Sequence, residues 1–318
     1  MYIYLHKLFI MKTFQKVRSI MVCMILFLLM ISHSASSQEV IGVKNTQAQM
    51  SKGSQPCYVI EIPQADLKTV QQNWGKKLQE GTIINVMEAN GELVLANCVK
   101  SEFTIDTINI YSLLIQKENK ISMNVFVEID SVFFAPKGDE TDLYSDKIDN
   151  NIKNYLHSFA VDQYKLAVAD ELEGEQKILK NKQNDLEKLE KDELNLKKDN
   201  SSFENDIDDT EREIVEIEKN IDMKFQEIIT HNAYMKTVVL EADKIAAGDK
   251  QKQLAKEKKQ MEKDRSRAKD DISSFKSKIE KNNKDIEHSK KLQQDKIAEI
   301  TAHNEVITQV QTKLNGIK

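Results

Sequence analysis

LKNKQNDLEKLEKDELNLKKDNSSFENDIDDTEREIVEIEKNIDMKFQEIITHNAYMKTV, residues 179–238, decides how this chain folds. Stepping alternately by three and four from Leu179 gives Lys182, Leu186, Leu189, Glu193, Leu196, Asn200, Phe203, Ile207, Thr210, Ile214, Ile217, Ile221, Lys224, Ile228, His231, Met235 and Val238. Twelve of these eighteen positions are apolar, and their surroundings are mostly Lys, Glu, Asp and Asn. An apolar seam repeating every 3.5 residues stays on one face only if the helix supercoils around a partner, so the stretch reads as a coiled coil.

A second seam follows. It runs Leu254, Lys258, Met261, Arg265, Ala268, Ile272, Phe275, Ile279, Asn282, Ile286, Ser289, Gln293, Lys296, Ile300, His303, Ile307, Val310 and Leu314, eleven of eighteen apolar. Leu292 and Ile297 fall one step off it and predict a local irregularity of register. Between the seams stand Gly248 and Asp249. Glycine is favoured just past a helix end and aspartate as the next N-cap, so these two are the expected hairpin tip. The expected arms are 166–247 and 249–318, with seams of about 65 residues each, or roughly 100 Å at 1.5 Å per residue. The expectation is an antiparallel coiled-coil hairpin. A continuous rod pairing with a second chain, and a bundle broken near 197–202, are the alternatives.

Composition supports a helical second half. All three prolines (Pro56, Pro63, Pro136) precede residue 137, and only Gly138, Gly174, Gly248 and Gly316 interrupt the 182 residues after Pro136. A globular enzyme domain of that size needs more turns than these residues supply. The net charge of −5 lacks the basic excess of a nucleic-acid binder.

The N-terminus reads as an export signal over residues 1–37. Lys12, Lys16 and Arg18 precede an apolar run at 20–31, and Ser34, Ala35, Ser36 and Ser37 follow. Cleavage is expected near Ser36 or Ser37, and translation can start at Met1 or Met11. The run is shorter than the ~20 residues of a membrane span, so the mature chain has none. Cys23 lies inside the run, which does not suit a lipoprotein. The expected destination is the periplasm or the medium.

Between signal and seams the chain reads as a flexible lead, 38–56, and a small α+β head, 57–165. Tyr58, Ile60 and Ile62 alternate as a strand. Leu67, Val70, Trp74 and Leu78 mark one helix face, ended by Gly81. Strands at 83–88 and 93–96 join through Asn90-Gly91, a strong hairpin signal. Strands at 107–116 and 121–134 form another hairpin. A helix starting near Thr141 carries Ile148, Ile152, Tyr155 and Phe159 on one face. The order β-α-β-β-β-β-α resembles the TATA-binding-protein-like fold of small secreted bacterial domains of unknown function. That resemblance covers about 57–165 and implies a fold and no activity.

The mature cysteines, Cys57 and Cys98, are an even pair that an oxidising compartment would allow to bridge; two half-buried free thiols are the alternative. His157, His231, His288 and His303 show no metal-ligand spacing, and no phosphate-binding or nucleophile-elbow motif occurs. The acidic run at 199–209 lacks the glycine of a calcium loop. Trp74 falls on a core face. No cofactor, metal or catalytic residue is therefore expected. The expected role is an exported, non-enzymatic interaction protein with a protein partner, itself or another. A helical arm on a β body is also similar in outline to the periplasmic holdase family Skp/OmpH, although this chain is longer and acidic where that family is short and basic. A ligand-binding or enzymatic head is the third alternative.

Overall fold

The computed structural model describes residues 41–136 and 143–318. The expected signal peptide, its cleavage at Ser36 or Ser37, Cys23 and the helix start at Thr141 lie outside the described residues. The chain divides into two compact units. One reaches to Gly174 and takes up Thr308–Lys318; the other is Glu175–Ile307.

The first unit is an antiparallel sheet with helices packed on one face. Its elements are β1 (Lys44–Met50), β2 (Gly53–Pro63), α1 (Leu67–Gln79), β3 (Met87–Ala89), β4 (Glu92–Val99), β5 (Thr107–Lys117), β6 (Lys120–Ile129), β7 (Val132–Phe133) and the start of α2 (Leu143–Met235). The sheet order is β1-β2-β6-β5-β4-β3, with β7 pairing β6. Strand alternation places Ile60, Ile62, Ile110, Met123, Val125 and Val127 on the helix-covered face. Val70, Trp74 and Leu78 of α1 pack there, as do Ile148, Ile152, Leu156 and Phe159 of α2. Val310, near the end of α3 (Glu241–Gly316), and Ile317, just past it, belong to the same core.

Several details depart from the sequence reading. The expected flexible lead, 38–56, holds β1, which pairs with β2 along its whole length from Lys44↔Val59 to Met50↔Gly53. The polar sequence KNTQAQM disguised an edge strand, where water can satisfy one side. The strand expected at 83–88 shrinks to β3, and Ile83 is almost fully exposed. The run 121–134 divides at Asp130 and Ser131, both with positive φ (49° and 65°), the two-residue turn that suits hairpin twist. The Cys57–Cys98 bridge is excluded. Cys57 lies on β2 and Cys98 on β4, with β6 and β5 between. At 4.7–4.9 Å per strand they stand about 14 Å apart, against the 7 Å limit for a bridge. They also belong to different clusters, Cys98 with the main core and Cys57 with Met50, Tyr111 and Phe126. Both are buried free thiols, and burial pushes the Cys57 thiol up to about 11.

Helix α1 is fixed at both ends. The Asp66 carboxylate accepts from the Thr69 backbone N–H at 2.8 Å, a standard N-cap. At the other end the Lys100 ammonium, with a side chain 1% exposed, donates to the carbonyls of Lys77 and Leu78 at 3.3 Å each and to that of Glu80. The Tyr155 hydroxyl donates to the Lys77 carbonyl at 2.7 Å. These are carbonyls that a helix end leaves unsatisfied, where positive charge is favoured. α2 is tied to β2 through Tyr58, whose hydroxyl donates to Asp149 at 2.9 Å.

In the second unit α2 and α3 pack on each other, early residues of α2 meeting late residues of α3. Lys182 reaches Glu299 (2.8 Å), Asn200 donates to Asn283 (2.9 Å), and Lys224 pairs with Glu257 (3.0 Å). Phe203 stacks on Phe275 with ring centroids 6.0 Å apart. All eighteen positions of each seam are at least partly withdrawn from solvent, Leu186, Leu189, Leu196, Ile217, Ile272, Ile279, Ile300 and Ile307 partly, and Ile207, Ile214, Ile221 and Ile286 fully. Leu292 and Ile297 are exposed, and the seam passes them through Gln293 and Lys296 without a slip. The expected irregularity does not occur.

Replacing Lys100 by Met should remove the donor that closes α1 while keeping the volume. Loss of about 2–4 kcal/mol is expected, because three desolvated carbonyls lose their cation. A lower urea midpoint with unchanged m-value would record it.

Candidate functional site

On the sheet face away from the helices, the β1–β2 turn reaches across to β4, β5 and β6. Ser51 donates through backbone N–H and hydroxyl to Glu92, both at 2.7 Å. The Lys52 ammonium donates to the Tyr111 hydroxyl at 2.6 Å and pairs with Glu128 at 3.0 Å. Tyr111 and Asn109 also donate to Glu128, at 3.0 and 2.9 Å. Burial pushes the Glu128 carboxyl up, but the bonds from Lys52, Asn109 and Tyr111 together outweigh it and hold it below the usual range. Each member answers another, so the cluster clasps the turn to the sheet. A cavity of about 230 Å³ lies beside β1 and Cys57; no titratable group other than the protonated thiol and Tyr58 lines it. Among the described residues, no three His, Cys, Asp or Glu side chains gather as a metal-holding group.

The second unit offers a different kind of site, at the turn between its helices. α2 ends at Met235 and α3 begins at Glu241. The expected tip at Gly248 and Asp249 is therefore displaced: both lie inside α3. The reason is local. Ala246 and Ala247 are strong helix formers, and one glycine costs a helix only about 1 kcal/mol. Thr237, Val238 and Val239 are β-branched and favour extended backbone. Glu241 and Asp243 stand in the first turn of α3, where the helix dipole favours acids. The turn is tightened by the Thr237 hydroxyl and backbone N–H, which donate to the Tyr234 carbonyl at 2.8 and 2.9 Å. His231 Nε2 lies 2.7 Å from the Ala247 carbonyl, a bridge from α2 to α3 just inside the turn.

This end of the unit exposes large apolar side chains. Val239 is 85% exposed, Leu240 69%, Ile245 64% and Tyr234 53%, with Met223, Phe225 and Ile229 near half. Elsewhere the pair presents mostly charge. Scattered exposed apolar residues are ordinary; here seven of them fall close in sequence on either side of one turn. Composition alone does not locate it. The available signal was three successive apolar residues, Val238, Val239 and Leu240, which no two-faced helix can bury together; the glycine at 248 outweighed it.

Polar seam positions are answered across the pair. Gln293 donates to Glu193 at 2.7 Å and Ser289 to the Leu189 carbonyl at 3.3 Å. Lys197 and then Gln293 hold the Glu193 carboxyl below its ordinary value. Asn200 Oδ1 is buried without a partner. No helix among the described residues is long and apolar enough to cross a membrane. No family model matches this chain, and no curated protein matches it in sequence.

Two outcomes check this placement. Gly248→Ala should stabilise by up to about 1 kcal/mol, since an added Cβ meets nothing within 4 Å; a glycine at a left-handed helix stop would instead be harmed. Val239→Ser combined with Leu240→Ser should leave the melting temperature nearly unchanged while reducing the fluorescence of an apolar dye bound to the native protein.

Proposed function

We propose that this chain is an exported, non-enzymatic protein that binds a protein partner through the end of an antiparallel coiled-coil hairpin. The signal at 1–37 supplies the export, to the periplasm or the medium. The helix pair supplies long helices whose seam residues are withdrawn from water, and the head supplies a separate folded unit. Cofactor, metal and nucleic acid have no part in this reading. The observation that carries it is the exposed apolar group around Val239 and Leu240. Leaving Val239 and Leu240 in water forgoes roughly 1.5–3 kcal/mol per side chain, which a partner surface would recover.

The same exposed side chains favour one second reading, a holdase that grips unfolded clients. The two readings differ in the range of partners. A photo-crosslinking residue at position 240, in the full chain in its native envelope, should give one adduct of defined mass. The adduct should be lost when Val239 and Ile245 are changed to Ser. A ladder of many adducts, with stoichiometric suppression of aggregation of an unfolded protein, would favour the holdase. Absence of any adduct sinks both.

A further inference from the structure

The two edges of the head's sheet are built differently. β3, at one edge, has three residues, and Glu88 stands at its middle. Short length and charge are ordinary protections of a sheet edge. β1, at the other edge, is seven residues long. Its sequence KNTQAQM holds no proline, and its single charge, Lys44, stands at the first position. Its register with β2 runs from Lys44 to Met50 without a bulge, and none of its residues has positive φ. Residues 44–47 and Gln49 are exposed, Ala48 is half-buried and Met50 is buried.

Pro56 decides which backbone groups of β1 face outward. It has no N–H, and it stands opposite Gln47. Hydrogen-bonded and non-hydrogen-bonded pairs alternate along an antiparallel ladder, and a proline belongs in the second kind. Gln47↔Pro56 is such a pair, and by alternation so are Asn45↔Tyr58 and Gln49↔Ser54. The N–H and C=O of Asn45, Gln47 and Gln49 therefore point away from β2, to the side where no strand follows among the described residues. This row of three donors and three acceptors is symmetric about Gln47.

We propose that a second copy of this chain adds its β1 antiparallel to this edge, about a two-fold axis at Gln47, so that the two sheets become one. Asn45 of each copy then faces Gln49 of the other, and Gln47 faces Gln47. Each of these pairs exchanges both backbone hydrogen bonds, so all six outward groups of each copy are answered. The contact is isologous and closes at two copies. The side chains suit it: Thr46 meets Ala48, and amide meets amide at 45, 47 and 49. Lys44 falls opposite Met50, which leaves the two lysines roughly 20 Å apart along the strands, whereas like charges placed opposite each other would resist pairing. An extended peptide of another protein would engage the same backbone groups. The second copy is favoured because this strand answers itself in register, with its one charge clear of its mate. The contact uses none of the apolar side chains at the turn between α2 and α3, so it stands or falls separately from the partner contact there.

The test is sedimentation of the full mature chain, with hydrogen exchange of its backbone amides at low and high protein concentration. A dimer is expected at high concentration, with the amides of Asn45, Gln47 and Gln49 protected at least about tenfold more than in the dilute chain. Gln47→Pro removes an outward N–H that the chain's own ladder does not use. It should leave the melting temperature nearly unchanged and weaken the dimer at least about tenfold. Gln47→Lys and Gln47→Glu each set like charges opposite each other and should weaken self-association about two- to fivefold. Their equimolar mixture should restore it, because the two-fold register brings position 47 against itself. A monomeric native chain overturns the proposal, as does a Gln47→Pro chain that fails to fold, since position 47 would then face β2. So does a dimer whose β1 amides exchange as in the dilute chain, a dimer indifferent to Gln47→Pro, or a mixture that associates no better than either variant alone.

Discussion

The seam between α2 and α3 is the constraint on which the second unit depends. An apolar row that repeats every 3.5 residues cannot be covered by its own helix, and each large side chain withdrawn from water contributes about 1.5–3 kcal/mol. That gain is eroded wherever a polar group is buried unanswered, at about 1–3 kcal/mol each. The polar seam positions therefore matter more than their number suggests. Glu193 meets Gln293, Lys224 meets Glu257, His303 lies 2.8 Å from the Glu175 carbonyl, and Asn200 meets Asn283. These partners exist in one alignment of the helices only. A slide by one turn would keep apolar against apolar in many places and leave most of these groups without partners. Polar seam residues set register at a cost in stability, and Asn200, with one oxygen unanswered, bears part of that cost.

The head shows the same logic in a smaller compass. Lys100 is a cation in a site where a cation is ordinarily expensive. It is held because α1 ends there and offers three carbonyls with no helical donor. The lysine, the helix end and Tyr155 are solved together. On the opposite sheet face, Lys52 and Glu128 do the same for a turn rather than a helix, at a site more open to water.

How much of this was legible in the sequence follows from how local each signal is. The long helical second half was legible, because a period sustained over sixty residues leaves no competing pattern. α1 was legible because Val70, Trp74 and Leu78 mark one face and Gly81 ends it. β1 was not, since KNTQAQM has no apolar alternation; its pairing comes from β2, a non-local cause. The turn was misplaced by reading Gly248 as punctuation when its alanine neighbours carry the helix through it. The cysteines could not be resolved without strand order, because both sit on strands and only the interposed β5 and β6 separate them. The apolar end was invisible for a related reason: exposure at Val239 depends on where the helices stop.

Val310 and Ile317 share a core with Ile60 and Trp74, although some 230–260 residues of sequence separate them. A chain emerging from a ribosome makes the sheet long before these residues. Until most of α3 has followed, Val310 and Ile317 are missing from that core. The head is thus completed late, by the return of a distant segment. A nonsense mutation between residues 175 and 307 would strip Val310 and Ile317 from a core that the mutated codon lies outside.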